Sequence, residues 1–169
     1  GGDSLRTDVS GIEYDEELQR ATLTLSSAID PGDYVLHARF RGTLNDQLHG
    51  FYRSTFKDEA GVEHTIATTQ MESTDARRAF PCWDEPEFKA SFGITLKVPE
   101  DQFAMSNGAE ISNEVFGGVR TVSFADTMVM STYLVAFIVG PFEATDPVDV
   151  NGTPLRIIYP RGKGHLTEY

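Results

Sequence analysis

The chain has 169 residues and carries 26 acidic residues against 14 lysines and arginines, for a net charge of -12. This length is enough for one domain with a buried core, and no apolar run approaches the roughly 18 residues that a membrane-spanning helix needs. The acidic composition argues against nucleic acid or an anionic membrane as a partner and favours cationic ligands, including a free amino group. The single cysteine, Cys82, cannot form an internal disulfide, so it leaves the redox compartment open.

Apolar and polar residues alternate with a period of two along most of the chain, which predicts half-buried β-strands. In chain order, the predicted strands are residues 21–25, 34–40, 62–69, 92–98, 111–116, 119–124, 133–139 and 155–159. The turn sequence at 30–33 predicts a hairpin between the first two strands, and Gly117-Gly118 predicts a second hairpin. Residues 133–139 are apolar on both faces, which is typical of a central strand covered on both sides. We therefore expect an all-β domain of antiparallel strands, either a sandwich or an open curved sheet.

The motifs of common active sites do not occur in this sequence. The four histidines form no H-E-x-x-H motif, and no two of them stand at a metal-ligand spacing with a carboxylate. Cys82 lies between Pro81 and Trp83 without a nearby histidine, which is typical of a packed cysteine rather than a nucleophile. We predict no catalytic residue and no metal ligand within this chain.

Residues 70–86 break the alternation and concentrate carboxylates and arginines. Buried charges need partners, so we expect Asp75 to pair with Arg77 or Arg78. Asp84 or Glu85 would then pair with the other arginine. This pattern predicts a structural loop held by ion pairs.

Gln70 and Glu72 differ from these paired charges, because they follow directly on the predicted strand 62–69. In extended backbone, two residues that are two positions apart face the same side. An amide and a carboxylate on one face could together hold an ammonium group. The alternative is that Glu72 pairs internally with Arg77 or Arg78 and has only a structural role.

Three segments of the chain resemble, in the same order, the zinc aminopeptidases related to aminopeptidase N and puromycin-sensitive aminopeptidase. The segment at 69–86 is TQMESTDARRAFPCWDEP, followed by KASF at 89–92; the other two are LNDQLHGFYRS at 44–54 and MSTYLVAFIVG at 130–140. The resemblance is looser over residues 1–43 and 141–169.

This resemblance implies a saddle-like N-terminal β domain, which in that family packs on a separate thermolysin-like catalytic domain holding the zinc. We expect residues 1–159 to form this β domain and residues 160–169 to begin the connection to the catalytic domain. Because the chain starts at Gly1, we also expect it to lack the first strands of the domain and to be inactive alone. An isolated domain of this kind would expose unpaired strand edges, so we expect it to self-associate.

The resemblance also assigns roles to Gln70 and Glu72. The matching glutamine lines the pocket for the first side chain of a peptide substrate, and the matching glutamate binds its α-amino group. Residues 80–86 have no catalytic counterpart, and we interpret them as a rigid support. Two alternatives stay open: a non-catalytic scaffold relative of the family, and a free-standing β-sandwich module that binds peptides.

Overall fold

The computed structural model describes residues 6–168, and regular structure in that range is nearly all β. The strands are β1 (Val9–Asp15), β2 (Arg20–Leu25), β3 (Gly50–Lys57), β4 (Glu63–Gln70), β5 (Lys89–Ala90), β6 (Thr95–Pro99), β7 (Phe103–Ser106), β8 (Glu110–Phe116), β9 (Val119–Phe124), β10 (Met130–Ser131), β11 (Phe137–Gly140), β12 (Phe142–Ala144), β13 (Val148–Val150), β14 (Thr153–Leu155) and β15 (Ile158–Pro160). Short 3₁₀ turns lie at Ala76–Arg78, Thr132–Leu134 and Gly164–Thr167. No helix within residues 6–168 has the length and apolar character needed to cross a membrane.

The chain divides into two compact units, Gly1–Arg39 and Phe40–Tyr169. In the described part of the first unit, β1 and β2 form an antiparallel hairpin that runs from Val9 opposite Leu25 to Asp15 opposite Arg20. The predicted strand at 21–25 is therefore confirmed. Its predicted hairpin partner is wrong, because β2 pairs with β1 and not with residues 34–40.

Residues 34–40 form no strand in the structure, although their alternation is regular. The side chains of Tyr34 and Val35 are exposed at 53% and 80%. Alternation measures how well a segment would suit a sheet, but a strand forms only where a neighbouring edge supplies hydrogen-bond partners. The described residues supply no such edge to this segment.

The described part of the second unit, residues 40–168, contains two larger sheets whose ladders are all antiparallel. One has the strand order β3-β4-β11-β7, and the other has the order β6-β9-β8. Three two-stranded ladders accompany them: β5 with β10, β12 with β15, and β13 with β14. The predicted all-β antiparallel class is confirmed.

The core of this unit lies where the two larger sheets meet. Val122 is fully buried and packs with Val98, Ala104 and Phe124, so that β6, β7 and β9 all contribute. Val139 of β11 packs against the same cluster. The strands of both sheets thus share one apolar layer, as in a sandwich.

The predicted hairpin at Gly117-Gly118 is confirmed, with β8 and β9 on either side. Both glycines have positive φ angles, 58° and 79°, which are the backbone conformations that a tight two-residue hairpin requires. The predicted strand at 92–98 is confirmed from Thr95 onward.

The central position predicted for residues 133–139 is confirmed for β11, which lies between β4 and β7. The predicted start is wrong, because a 3₁₀ turn precedes the strand. Asn107 explains this difference: its Nδ2 donates to the Leu134 carbonyl at 2.8 Å, and its Oδ1 accepts from the Ala136 amide at 2.7 Å. The predicted strand at 155–159 is also divided in two, between β14 and β15.

Candidate functional site

The exit of β4, where Gln70 ends the strand, is fixed on both edges. On one side, β3 pairs with β4 over eight residues, from Gly50 opposite Gln70 to Lys57 opposite Glu63. On the other side, Ile138 of β11 lies opposite Thr68. The amide of Phe137 donates to the Thr69 hydroxyl at 3.2 Å. The backbone that presents Gln70 is therefore held by two neighbouring strands.

The residues around Gln70 and Glu72 alternate between exposed and deeply buried. Gln70 and Glu72 are both exposed, whereas Met71 between them is only 2% exposed. Glu72 lies beyond the strand, in a turn whose Asp75 amide donates to the Met71 carbonyl at 2.9 Å, and the Glu72–Ser73 peptide bond is cis. The extended backbone predicted through Glu72 thus ends at Gln70, and the strand period alone does not set the direction of the Glu72 side chain.

Two ion pairs hold the segment that follows, as predicted. Arg78 Nε lies 2.7 Å from Asp75 Oδ1, and Arg77 Nε lies 2.9 Å from Asp84 Oδ2. The Arg77 amide also donates to Asp84 Oδ2 at 3.1 Å, and Arg77 Nη2 donates to the Asp84 carbonyl at 3.0 Å. The hydrogen bond that Arg77 donates to the Asp84 carboxylate raises the pKa of Arg77 above its ordinary value. Asp84 is therefore a structural anchor that closes the loop from 77 to 84.

The carboxylate of Glu72 takes part in no ion pair among residues 6–168. The two arginines of the same segment are paired with Asp75 and Asp84 instead. The internal pairing of Glu72 with Arg77 or Arg78 is therefore absent from the structure. Glu72 is left as an exposed, acceptor-only group on a backbone anchored by buried neighbours.

The loop at residues 80–86 is tied to the third segment of the resemblance. The Thr132 hydroxyl donates to the Trp83 carbonyl at 3.1 Å, and the Ser131 hydroxyl donates to the Pro86 carbonyl at 2.6 Å. Both hydroxyl residues are buried. Side-chain hydroxyls that donate to loop carbonyls can replace the ladder bonds that a strand would provide.

Aromatic packing connects the same segments. The Phe137 ring lies 5.7 Å from the Phe51 ring in an edge-to-face arrangement and 6.2 Å from the Phe80 ring. Such pairs stabilise beyond the area they bury. Phe137 thus joins β3, β11 and the loop that follows Glu72.

The first segment forms a compact turn around Asn45. Its Nδ2 donates to the His49 carbonyl at 3.0 Å, and its Oδ1 accepts from the Gln47 amide at 2.7 Å. Its carbonyl accepts from the Arg53 amide at 2.7 Å. These bonds place Gly50 at the start of β3, opposite Gln70.

Burial raises the pKa of the Cys82 thiol to about 11, and the nearby Asp84 carboxylate adds to this effect. The thiol is therefore protonated at neutral pH, which does not suit a nucleophile. Within residues 6–168 there is no group of three or more His, Cys, Asp or Glu side chains placed to hold a metal ion.

Comparison with known proteins places this geometry in a family. The family model described as "Peptidase M1 N-terminal domain" matches residues 2–134, which is most of the chain. Strands β1 to β10, including β4 and the segment that follows it, fall within this match. The chain belongs to the Peptidase M1 N-terminal domain family, and the predicted resemblance is confirmed.

Curated relatives carry aminopeptidase names. The chain is 44% identical over 162 residues to Aminopeptidase M1-D of Oryza sativa subsp. japonica, covering 96% of this chain and 18% of the relative. It is 42% identical over 158 residues to Puromycin-sensitive aminopeptidase of Caenorhabditis elegans and 39% identical over 161 residues to Aminopeptidase N of Bos taurus, covering 92% of this chain and 17% of the relative in each case. The chain thus spans about a sixth of the length of these relatives.

Several supporting residues received no role from the sequence. Asn45, Gly50, Ser131, Thr132 and Phe137 all lie within the three segments of the resemblance. Asn45 bonds the backbone of its own segment, Gly50 acts through its missing side chain, and the other three contact partners 45 or more positions away. The only sequence signal for them is that they fall within matched segments that the alternation does not explain.

Proposed function

We propose that this chain is the substrate-capping N-terminal domain of a zinc-dependent aminopeptidase, which removes amino acids from the N-terminus of peptides. Glu72 binds the α-ammonium group of the substrate, and Gln70 contacts its first side chain. Membership of the Peptidase M1 N-terminal domain family and the aminopeptidase names of the relatives support the class.

The observation that carries the proposal is the state of Glu72. Its carboxylate is exposed and unpaired within residues 6–168, while the nearby arginines are held by other carboxylates. A carboxylate on a rigid support can accept short, charge-assisted hydrogen bonds from an ammonium group. Gln70 is two residues away at the end of β4, and its amide can both donate and accept.

This arrangement accounts for exopeptidase action. Only the end of a peptide chain carries an α-ammonium group, so a carboxylate that requires it rejects internal positions of the chain. Holding that end also fixes the distance of the first peptide bond from the reacting groups, which lowers the entropy cost of the reaction.

The zinc ion belongs elsewhere in the proposed enzyme. The described residues contain no ligand set for it, so we assign them no chemical step. In the proposal, the ion is held by a catalytic domain of the same protein, where zinc can polarise a peptide carbonyl and activate a water molecule. The role of this chain is binding and orientation.

The test is Glu72→Ala in the full-length protein, with aminoacyl-arylamide substrates. Hydrogen bonds to charged groups contribute about 1.5–3 kcal/mol, so kcat/KM should fall by roughly one to two orders of magnitude. Gln70→Ala should change the ranking of substrates by their first residue, with a smaller average loss. Glu85→Ala removes another exposed carboxylate from the same segment and should leave the kinetics unchanged.

The melting temperature of each variant separates binding from folding. We expect Glu72→Ala to lower kcat/KM without changing the melting temperature. If it lowers the melting temperature and leaves kcat/KM unchanged, Glu72 is structural and the proposal is wrong. An unchanged kcat/KM with an unchanged melting temperature would also contradict the ammonium role.

A further inference from the structure

We infer that Gly50 positions Glu72. Because Gly50 has no side chain, the turn that follows Glu72 can pack directly against the start of β3. The inference rests on the proposed function, since it concerns the same substrate site. Gly50 is buried, has a φ of 68°, and lies opposite Gln70 in the β3–β4 ladder. It is therefore adjacent to the exit of β4.

The space at Gly50 is filled by the 3₁₀ turn Ala76–Arg78. A Cβ atom added to Gly50 would lie 2.8 Å from the Cβ of Arg78 and 3.4 Å from the carbonyl oxygen of Asp75. Both atoms are close to the backbone, so a side-chain rotation cannot relieve the contact. Any side chain at position 50 would have to displace the turn as a body.

Displacement of this turn would reach Glu72 through short backbone links. The Arg78 amide donates to the Asp75 carbonyl at 3.1 Å, and the Asp75 amide donates to the Met71 carbonyl at 2.9 Å. The side chains of Arg78 and Asp75 are also paired at 2.7 Å. These bonds make the turn move together with Met71 and Glu72, and a misplacement of about 1 Å at a substrate contact can cost up to a hundredfold in rate.

The same hairpin offers a matched control. Gly61 lies in the turn between β3 and β4, has a φ of 79°, and has no atom within 4 Å of an added Cβ. Alanine at either glycine is strained by the left-handed backbone conformation. Alanine at position 50 alone also collides with the turn, so the difference between the two variants isolates the collision.

The experiment compares Gly50→Ala and Gly61→Ala in the full-length protein, each with and without Glu72→Ala. We expect Gly50→Ala to lower kcat/KM by about tenfold or more, and Gly61→Ala to leave it nearly unchanged. If Gly50 acts through Glu72, adding Gly50→Ala to Glu72→Ala should cost less than about threefold further, because the contact is already gone.

A steric rescue keeps the test informative if Gly50→Ala alone does not fold. Arg78→Gly removes the Cβ with which the new methyl collides, so the double variant Gly50→Ala/Arg78→Gly should fold and match Arg78→Gly in kcat/KM. Equal kinetics for Gly50→Ala and Gly61→Ala, an undiminished loss in the Glu72→Ala background, or no rescue by Arg78→Gly would overturn the inference alone. If Glu72→Ala leaves kcat/KM unchanged, both this inference and the proposed function are wrong.

Discussion

Replacing Asp84 by alanine should lower the free energy of unfolding of the 169-residue chain by about 3 kcal/mol. The Asp84 side chain is 4% exposed, and its Oδ2 accepts from both the amide and the Nε of Arg77. Its removal leaves a guanidinium and a backbone amide without their acceptor. Breaking a buried pair from one side costs about 3–5 kcal/mol, and the lower end applies because the Arg77 side chain keeps 27% of its exposure.

Asp75→Ala is the matched control, because it breaks the other ion pair of the same segment. The side chains of Arg78 and Asp75 are 42% and 29% exposed, so solvent already screens this pair. Exposed pairs contribute about 0.2–1 kcal/mol. For a chain of this size, 1 kcal/mol corresponds to about 2–4 °C in melting temperature. We therefore expect a drop of about 6–12 °C for Asp84→Ala and less than about 4 °C for Asp75→Ala.

Urea unfolding followed by circular dichroism measures the free energy of unfolding of both variants. The dependence of this free energy on urea concentration should be the same in both. Asp84→Asn adds a third point, since its amide oxygen can still accept from the Arg77 amide but carries no charge. Its loss should lie between those of the two alanine variants. Equal losses for Asp84→Ala and Asp75→Ala would refute the claim that burial makes Asp84 the anchor of this loop.

Two further predictions concern titratable groups. Since the pKa of Cys82 is about 11, the thiolate fraction of Cys82 at pH 7 is about one in ten thousand. Iodoacetamide should therefore react with Cys82 at least about a hundredfold more slowly in the folded chain than in the chain unfolded by urea. Equal rates would contradict the burial of the thiol. The hydrogen bonds from His64 and from the Val62 amide lower the pKa of Asp58 below 3.8 in the folded chain. Ionised Asp58 therefore stabilises the fold above pH 3.8, and this stabilisation is lost as the pH falls through the lowered pKa. Asp58→Asn should therefore be less stable than the unmodified chain at pH 7, with the difference shrinking below about pH 4, and a difference that stays constant down to acidic pH would contradict this account.

The parts of the fold that the sequence predicts well are those in which local chemistry decides. Gly117 and Gly118 both accept the positive φ angles of a tight turn, so the β8–β9 hairpin follows from two residues and the alternation on each side. The pairing of Asp75 with Arg78 is local as well, since only three positions separate them. In both cases the partners are near each other before the rest of the chain folds.

The predictions that fail depend on partners elsewhere in the chain. Residues 34–40 have a strand pattern, but the pattern cannot show which edge would receive them. The strand predicted from residue 133 begins only at Phe137, where the backbone groups of Leu134 and Ala136 before it bond to the Asn107 side chain, 27 positions from Leu134. An apolar run gives no sign that a distant side-chain amide will take up its backbone groups.

At the candidate site, the sequence predicts which residues are unusual but not the contacts that support them. Gln70 and Glu72 could be singled out because the alternation ends at Gln70 and charged residues follow. Their support could not be derived, because Thr132 and Ser131 reach carbonyls 49 and 45 positions away, and Phe137 reaches the Thr69 hydroxyl across 68 positions. Only the resemblance to a family indicated that the three segments belong together.

The physical role of residues 76–86 follows from where their hydrogen bonds go. A strand that simply continued past Gln70 would hold its backbone by ladder bonds, and each exposed side chain would share its surface with cross-strand neighbours. Here the ladder stops, and other contacts take its place: Met71, Ala76 and Asp84 are buried, and the buried Thr132 hydroxyl donates to the Trp83 carbonyl of the loop. Glu72 can therefore be exposed on a fixed backbone, because the two arginines that could pair with its carboxylate are held by Asp75 and Asp84 instead. Substitution of Asp84 should therefore change the unfolding curve, whereas substitution of Glu72 should change kcat/KM.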